Sequence, residues 1–292
     1  MKTNTRSAQL RVHMKLIRTA SSLFLSLALS MLISHESLSW PVSQPVPGGI
    51  VTIKVEAPLG SAPSVLFKKR PVAVVRHNEA WHAIIGIPLS IKPGTHTAMV
   101  NQKPVNFTVQ SKDYPEQHIT LKTRKHIDLS PEDLARHRGE KAKAKKAFKA
   151  FNKQQSPDLA MIKPVEGPYS SPFGLKRFFN GEPRNPHSGL DIAAPTGTPI
   201  KAPSEGKVVL TGNFFFNGNV VYVDHGQGMI SMFCHLSEIA VKTGDALSKG
   251  EILGKVGATG RVTGPHLHWS VSLNNTRIDP ILLLPEIEQS KI

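Results

Sequence analysis

The chain has 292 residues, 39% of them apolar and 20% charged, the balance of a folded globular protein with room for two cores. Its single cysteine excludes an intramolecular disulfide and a four-cysteine metal site. The formal net charge of +15 calls for an anionic partner, but no zinc finger, helix-turn-helix or interleaved aromatic and basic motif is present, so no nucleic acid is expected.

Residues 1–39 are laid out as a signal peptide. Positive charge is confined to the first 18 residues, Thr19–Ser34 is apolar, and Ser37 and Ser39 are small residues suited to a cleavage site. The apolar run is shorter than the roughly 20 residues a membrane span needs. Export to the periplasm or cell envelope is expected, with cleavage near Ser39–Trp40 and membrane contact only if the leader is retained.

Residues 40–125 read as a small immunoglobulin-like β-sandwich. Short alternating runs (IVTIKVEAP, SVLFKKR, VAVVRH, WHAIIGIP, THTAMV, VNFTVQ, HITLK) are separated by turn signals at Pro58, Gly60, Pro93-Gly94 and Asn101. His77, His82, His96 and His118 have no mutual ligand spacing and read as ordinary strand or surface histidines.

Residues 126–160 form a basic helical linker. Ser130 is placed to cap the helix, Pro131 to start it, and Glu132 and Asp133 to face its positive end; the pattern runs to about Asn152. Ala144, Ala147, Phe148 and Phe151 make a narrow apolar stripe, while eight Lys/Arg stand against Glu140 between Arg136 and Lys153. Such a helix is either a solvated connector docked by its stripe or a contact surface for anionic polymer or headgroups.

Residues 161–285 are rich in glycine and strand patterns, and 286–292 form a tail. Three short stretches stand out. In Gly264-Pro265-His266-Leu267-His268-Trp269, strand parity puts His266 and His268 on one face. In His187-Ser188-Gly189-Leu190-Asp191, positions 187 and 191 share parity, with Gly189 leaving space between. His235 follows Cys234, whose opposite parity points it into the core. An imidazole and a carboxylate from one segment, with an imidazole from another, give three N/O ligands and leave a fourth position for water, a common catalytic zinc arrangement. Two histidines are then left for proton transfer and oxyanion support. Asn180 and Arg184 lie on a polar loop that could line the groove.

HSGLDIAAPTGTPI, MFCHLS and TGRVTGPHLHW together resemble the signature segments of the lysostaphin-type, LytM-like zinc metallopeptidases, over roughly Pro164 to Pro280. The resemblance implies that His187, Asp191 and His268 hold one zinc ion, with His235 and His266 as the two catalytic histidines that are not ligands. It also implies a β-rich domain whose sheet floors a narrow groove. The expected fold is mainly β, with an N-terminal sandwich, a basic helix and a C-terminal LytM-like peptidase domain.

The implied function is that of an exported, monomeric zinc endopeptidase acting on peptidoglycan stems or cross-links. The division of labour between His235 and His266, and the bond cut, stay open. The alternative is a peptidoglycan-binding activator of another hydrolase, without catalysis of its own; the presence of all five site residues favours the enzyme.

Overall fold

The computed structural model describes residues 40–58, 60–120 and 129–291, so the leader expected at 1–39 and the join expected at 125–126 lie outside it. The architecture is mainly β with one long helix.

The first strands are β1 (Ile50–Val55), β2 (Val65–Phe67), β3 (Arg70–Pro71), β4 (Ala73–His77), β5 (Ala80–Gly86), β6 (Gly94–Val100) and β7 (Lys103–Val109). They form two antiparallel sheets, β1-β5-β4 and β3-β2-β6-β7. Tight two-residue hairpins at Asn78-Glu79 and Asn101-Gln102 join strands, with positive φ at both positions as such turns demand. Between the sheets Val51, Val55, Val74 and Ile85 pack against Val65, Phe67 and Ala98.

The β1-β5-β4 sheet is buried on its other face too. Ile50, Ala73, Val75 and Ile84 belong to a second core shared with Leu273, Ile278 and Ile281. That explains why β4 and β5 contain unbroken apolar runs (AVV, AII) instead of strict alternation. Gly86 lets the two halves approach, since a Cβ there would lie 2.9 Å from both Ile278 Cγ2 and Leu273 Cβ. Buried Asn274 brackets the same glycine, accepting from its N–H at 2.7 Å and donating to its carbonyl at 3.0 Å.

Strand β8 (Glu116–Ile119), grouped on sequence with the N-terminal sandwich, instead runs parallel to a C-terminal strand, as described below. Helix α1 (Pro131–Phe148) begins as expected: Ser130 Oγ accepts from the Asp133 N–H at 3.1 Å. It stops short of Asn152. Ala147 and Phe148 are buried against Phe214, Tyr222 and Met232, and the Arg277 guanidinium lies 3.1 Å from the Phe148 ring centroid. Glu140 is buried as well, bonded to Arg136 Nε at 2.8 Å and to the Phe215 N–H at 2.9 Å. One face of the helix is thus docked.

The C-terminal strands are β9 (Tyr169–Ser171), β10 (Lys176–Phe179), β11 (Glu182–Pro183), β12 (Leu190–Ala193), β13 (Pro199–Lys201), β14 (Gly206–Phe214), β15 (Gly218–Asp224), β16 (Ile230–Leu236), β17 (Glu238–Ile239), β18 (Ala246–Leu247), β19 (Ile252–Lys255), β20 (His266–Leu273) and β21 (Thr276–Ile278). The main sheet has the order β18-β14-β15-β16-β20-β12-β9, with β21 added to β20. Two three-stranded sheets flank it, β13-β19-β17 and β11-β10-β8. Fully buried Trp269, Phe233, Leu190 and Ile192 fix the central strands, so β16, β20 and β12 form a rigid floor. Among the described residues, no helix is long and apolar enough to cross a membrane.

Candidate metal centre

The floor strands bring the chosen residues together. In β12 and β20, Asp191 pairs with His268 and Ala193 with His266, so both histidines project beside the carboxylate. His187 lies before β12, outside any strand, and is pinned by backbone bonds between His187 N and Leu175 O (2.9 Å) and between Gly174 N and His187 O (2.8 Å).

Hydrogen bonds decide which atom of each ring faces inward. His187 Nδ1–H donates to the Pro172 carbonyl at 2.8 Å, which leaves Nε2 unprotonated in the neutral ring. His268 uses its other nitrogen: Nε2–H donates to Ser270 Oγ at 3.0 Å, and that hydroxyl donates to the Ser188 carbonyl at 2.9 Å. Nδ1 of His268 therefore faces the site. Asp191 Oδ1 lies 3.0 Å from His187 Nε2 and 2.7 Å from His268 Nδ1, and the two nitrogens are 3.0 Å apart.

Three acceptor atoms within 4.8 Å of one another have the spacing to hold a metal ion. As neutral rings and a carboxylate they share no proton donor among their inward atoms, and a shared cation satisfies all three. Burial alone pushes the Asp191 carboxyl up; when the rings carry the proton instead of a cation, hydrogen bonds and positive charge from His187 and His268 outweigh it and hold the group well below the usual carboxylate range. Gly189 makes room, because a Cβ there would meet His268 Cε1 and Ser270 Oγ at 2.6 Å.

His235 and His266 stand beside this group, with ring centroids 4.9 Å apart and His235 6.1 Å from His268. Each donates Nδ1–H to a backbone carbonyl, His235 to Thr259 at 2.9 Å and His266 to Gly264 at 2.9 Å, so each presents Nε2 as an acceptor. His266 Nε2 is 4.0 Å from Asp191 Oδ1. Burial, then the neighbouring His268 and His266, push His235 down to about 4 and keep it neutral.

His235 has φ of 67°, a left-handed conformation rare outside glycine. The register between β15 and β16 slips here, Asn219 pairing with Leu236 but Val221 with Phe233, so a bulge re-aims the imidazole toward the site. Cys234 is fully buried beside Phe148, Val220 and Tyr222, and burial pushes its thiol up to about 12. It has the character of an inert core residue.

The comparisons with known proteins follow the same residues. The family model described as Peptidase family M23 matches residues 185–280, and that of the Peptidase family M23 N-terminal domain matches residues 43–112. A crystal structure of a candidate M23 peptidase from Pseudomonas aeruginosa is 45% identical with a TM-score of 0.70, covering 85% of this chain and 96% of that one. The chain belongs to peptidase family M23.

Within the family, a stretch of 86 residues is 46% identical to the peptidoglycan DD-endopeptidase ShyA of Vibrio cholerae, covering 30% of this chain and 20% of that protein. Another of 124 residues is 37% identical to the DD-carboxypeptidase/endopeptidase Mpg of Neisseria meningitidis, covering 41% of this chain and 29% of that protein. The chain thus spans less than a third of the length of these curated relatives.

Sequence reasoning missed several supporting residues. Ser270 orients His268, and Thr259 orients His235 while its hydroxyl donates to the Leu236 carbonyl at 2.8 Å. Neither carries a local sequence signal. A third, Arg177, places Nη2 3.9 Å from Asp191 Oδ2 and 3.1 Å from Ser171 Oγ. The polar loop around Asn180 is a hairpin: β10 and β11 pair across Asn180-Gly181, both at positive φ. That Asn-Gly dipeptide is a turn signal the strand pattern alone did not expose.

Proposed function

We propose that this chain is an exported zinc-dependent endopeptidase that hydrolyses peptide cross-links in peptidoglycan. The observation that carries the reading is the convergence of His187 Nε2, Asp191 Oδ1 and His268 Nδ1 beside the acceptor nitrogens of His235 and His266. The three converging residues would hold one zinc ion. When bound, zinc supplies a Lewis acid for a carbonyl oxygen and lowers the pKa of water from about 15.7 to near 7.

The remaining work falls to the chain. His235 and His266, oriented by the Thr259 and Gly264 carbonyls, offer Nε2 atoms to take a proton from the attacking water. The protonated ring of the pair then donates a hydrogen bond to the developing oxyanion or passes its proton to the leaving amine. The rigid floor of β12, β16 and β20 holds these groups without reorganisation.

The substrate rests on the peptidoglycan activities in the names of ShyA and Mpg, and export on the charge and apolar pattern of residues 1–39. In this reading residues 161–285 carry the reaction as a monomer, residues 40–125 position it, and the enzyme works in the periplasm. Mass spectrometry of muropeptides released from purified peptidoglycan tests the proposal. Cleaved peptide cross-links are expected; intact muropeptides with a zinc-loaded protein would leave only the binding-activator role.

A further inference from the structure

Beside the metal-binding group lies a pocket that the proposed chemistry does not use. Arg177 from β10, Arg184 after β11 and Arg261 from the loop before β20 converge on a cavity of about 270 Å³, walled by Phe179, Phe216 and Asn185. Three guanidiniums in so small a space repel one another and hold their place only because other contacts fix them.

Arg261 lies 4.3 Å from the Phe216 ring centroid and Arg184 5.8 Å from that of Phe179. Backbone bonds from Arg184 N to Arg177 O (2.8 Å) and from Arg261 N to Phe216 O (3.0 Å) fix the segments. Among the described residues, two acids meet Arg177 and Arg184. Exposed Glu182 accepts from Arg184 Nη2 at 2.7 Å, and Asp191 stands 3.9 Å from Arg177 with its other oxygen turned to the metal-binding histidines. The buried Nε atoms of Arg177 and Arg184 have no hydrogen-bond partner among the described residues. Burial, then the like charges of Arg177 and Arg184, lowers the Arg261 guanidinium from its ordinary value. An anion in the pocket relieves the repulsion.

The geometry points to a subsite in which Arg177, Arg184 and Arg261 bind a free carboxylate of the peptide being cut. This rests on the peptidase reading above. Planar guanidiniums match a carboxylate in pairs of parallel bonds. The cavity suits one amino-acid-sized group, and Arg177 spans from it to Asp191, so a carboxylate held here belongs to a residue beside the reacting amide. The pocket therefore selects which part of a branched, multiply charged peptide is presented to the metal centre.

The test is calorimetric titration of the full zinc-loaded chain with a linear stem peptide bearing a free terminal carboxylate, and with the same peptide amidated. The free acid should bind at least about tenfold more tightly, the scale of one charged hydrogen-bonded pair. Arg184→Gln and, separately, Arg261→Gln should each cut that ratio below about threefold, with zinc content unchanged. Equal affinities in the parent protein, no binding of either peptide, or a ratio that survives in both variants would overturn the subsite. Cross-link cleavage is read separately. Acid preference without cleavage overturns the peptidase reading and leaves the pocket standing; cleavage without acid preference does the reverse.

Discussion

Asp191 and His268 face one another across adjacent strands, with Oδ1 of the carboxylate 2.7 Å from Nδ1 of the ring. Their pairing ties metal affinity to the backbone register of the sheet. His187→Ala and Asp191→Ala should each lose the roughly one zinc ion per chain expected of the parent protein, as read by elemental analysis. Ser270→Ala should keep the three ligands but lower zinc affinity by about 10–100-fold, because His268 Nε2–H loses the acceptor that fixes its ring. Unchanged affinity in Ser270→Ala would mean that the hydroxyl does not orient the ring.

Gly189→Ala is expected to resemble a ligand mutation although it removes no ligand. Its methyl group would sit 2.6 Å from His268 Cε1 and Ser270 Oγ, so ring and hydroxyl must both move. Competition with a chelator should show weakened zinc binding while far-ultraviolet circular dichroism stays that of the parent.

His266→Ala and His235→Ala should retain zinc and lose turnover by about 10²–10⁴-fold, the span of one proton-transfer partner. Release of muropeptides at the parental rate by either variant would remove that residue from the proton-transfer pair. A parallel zinc measurement separates this result from metal loss.

Stability should depend on pH through His225, which is fully buried, donates Nδ1–H to the Glu205 carbonyl at 2.7 Å and accepts at Nε2 from Ser231 Oγ at 2.8 Å. Burial, opposed in part by the Glu205 carbonyl, pushes it down from 6.5 to about 4. The unfolded chain therefore binds more protons between those values. Stability from this residue is complete above about pH 6.5 and falls as pH drops toward 4, by about 3 kcal/mol in all. Urea titrations of His225→Gln should show a flatter dependence than the parent across that window; parallel curves would discount the residue.

Much of this was legible in the residues. The HLH stretch declared two imidazoles on one strand face because β parity is local, and β20 begins at His266. The Ser130-Pro131 start of α1 was local in the same way. Bonds to residues 174 and 175, which no pattern announces, fix His187 beside Asp191. The bulge that turns His235 depends on how β16 meets β15, and β8 gave no sign that its partner is β10. The arginines at 177, 184 and 261 meet only because three separate loops and strands close on one corner.

The β1-β5-β4 sheet, apolar on both faces, acts as a party wall between two rooms. Neither half can come away without baring Leu273, Ile278 and Ile281 on one side or Ile50, Ala73, Val75 and Ile84 on the other. Calorimetry should register one melting transition, not two. A catalytic fragment trimmed to start at Leu129 would also strip β8 from β10, the strand that carries Arg177, and leave its edge open to other chains. Severing the halves would therefore yield a sticky remnant instead of a smaller enzyme.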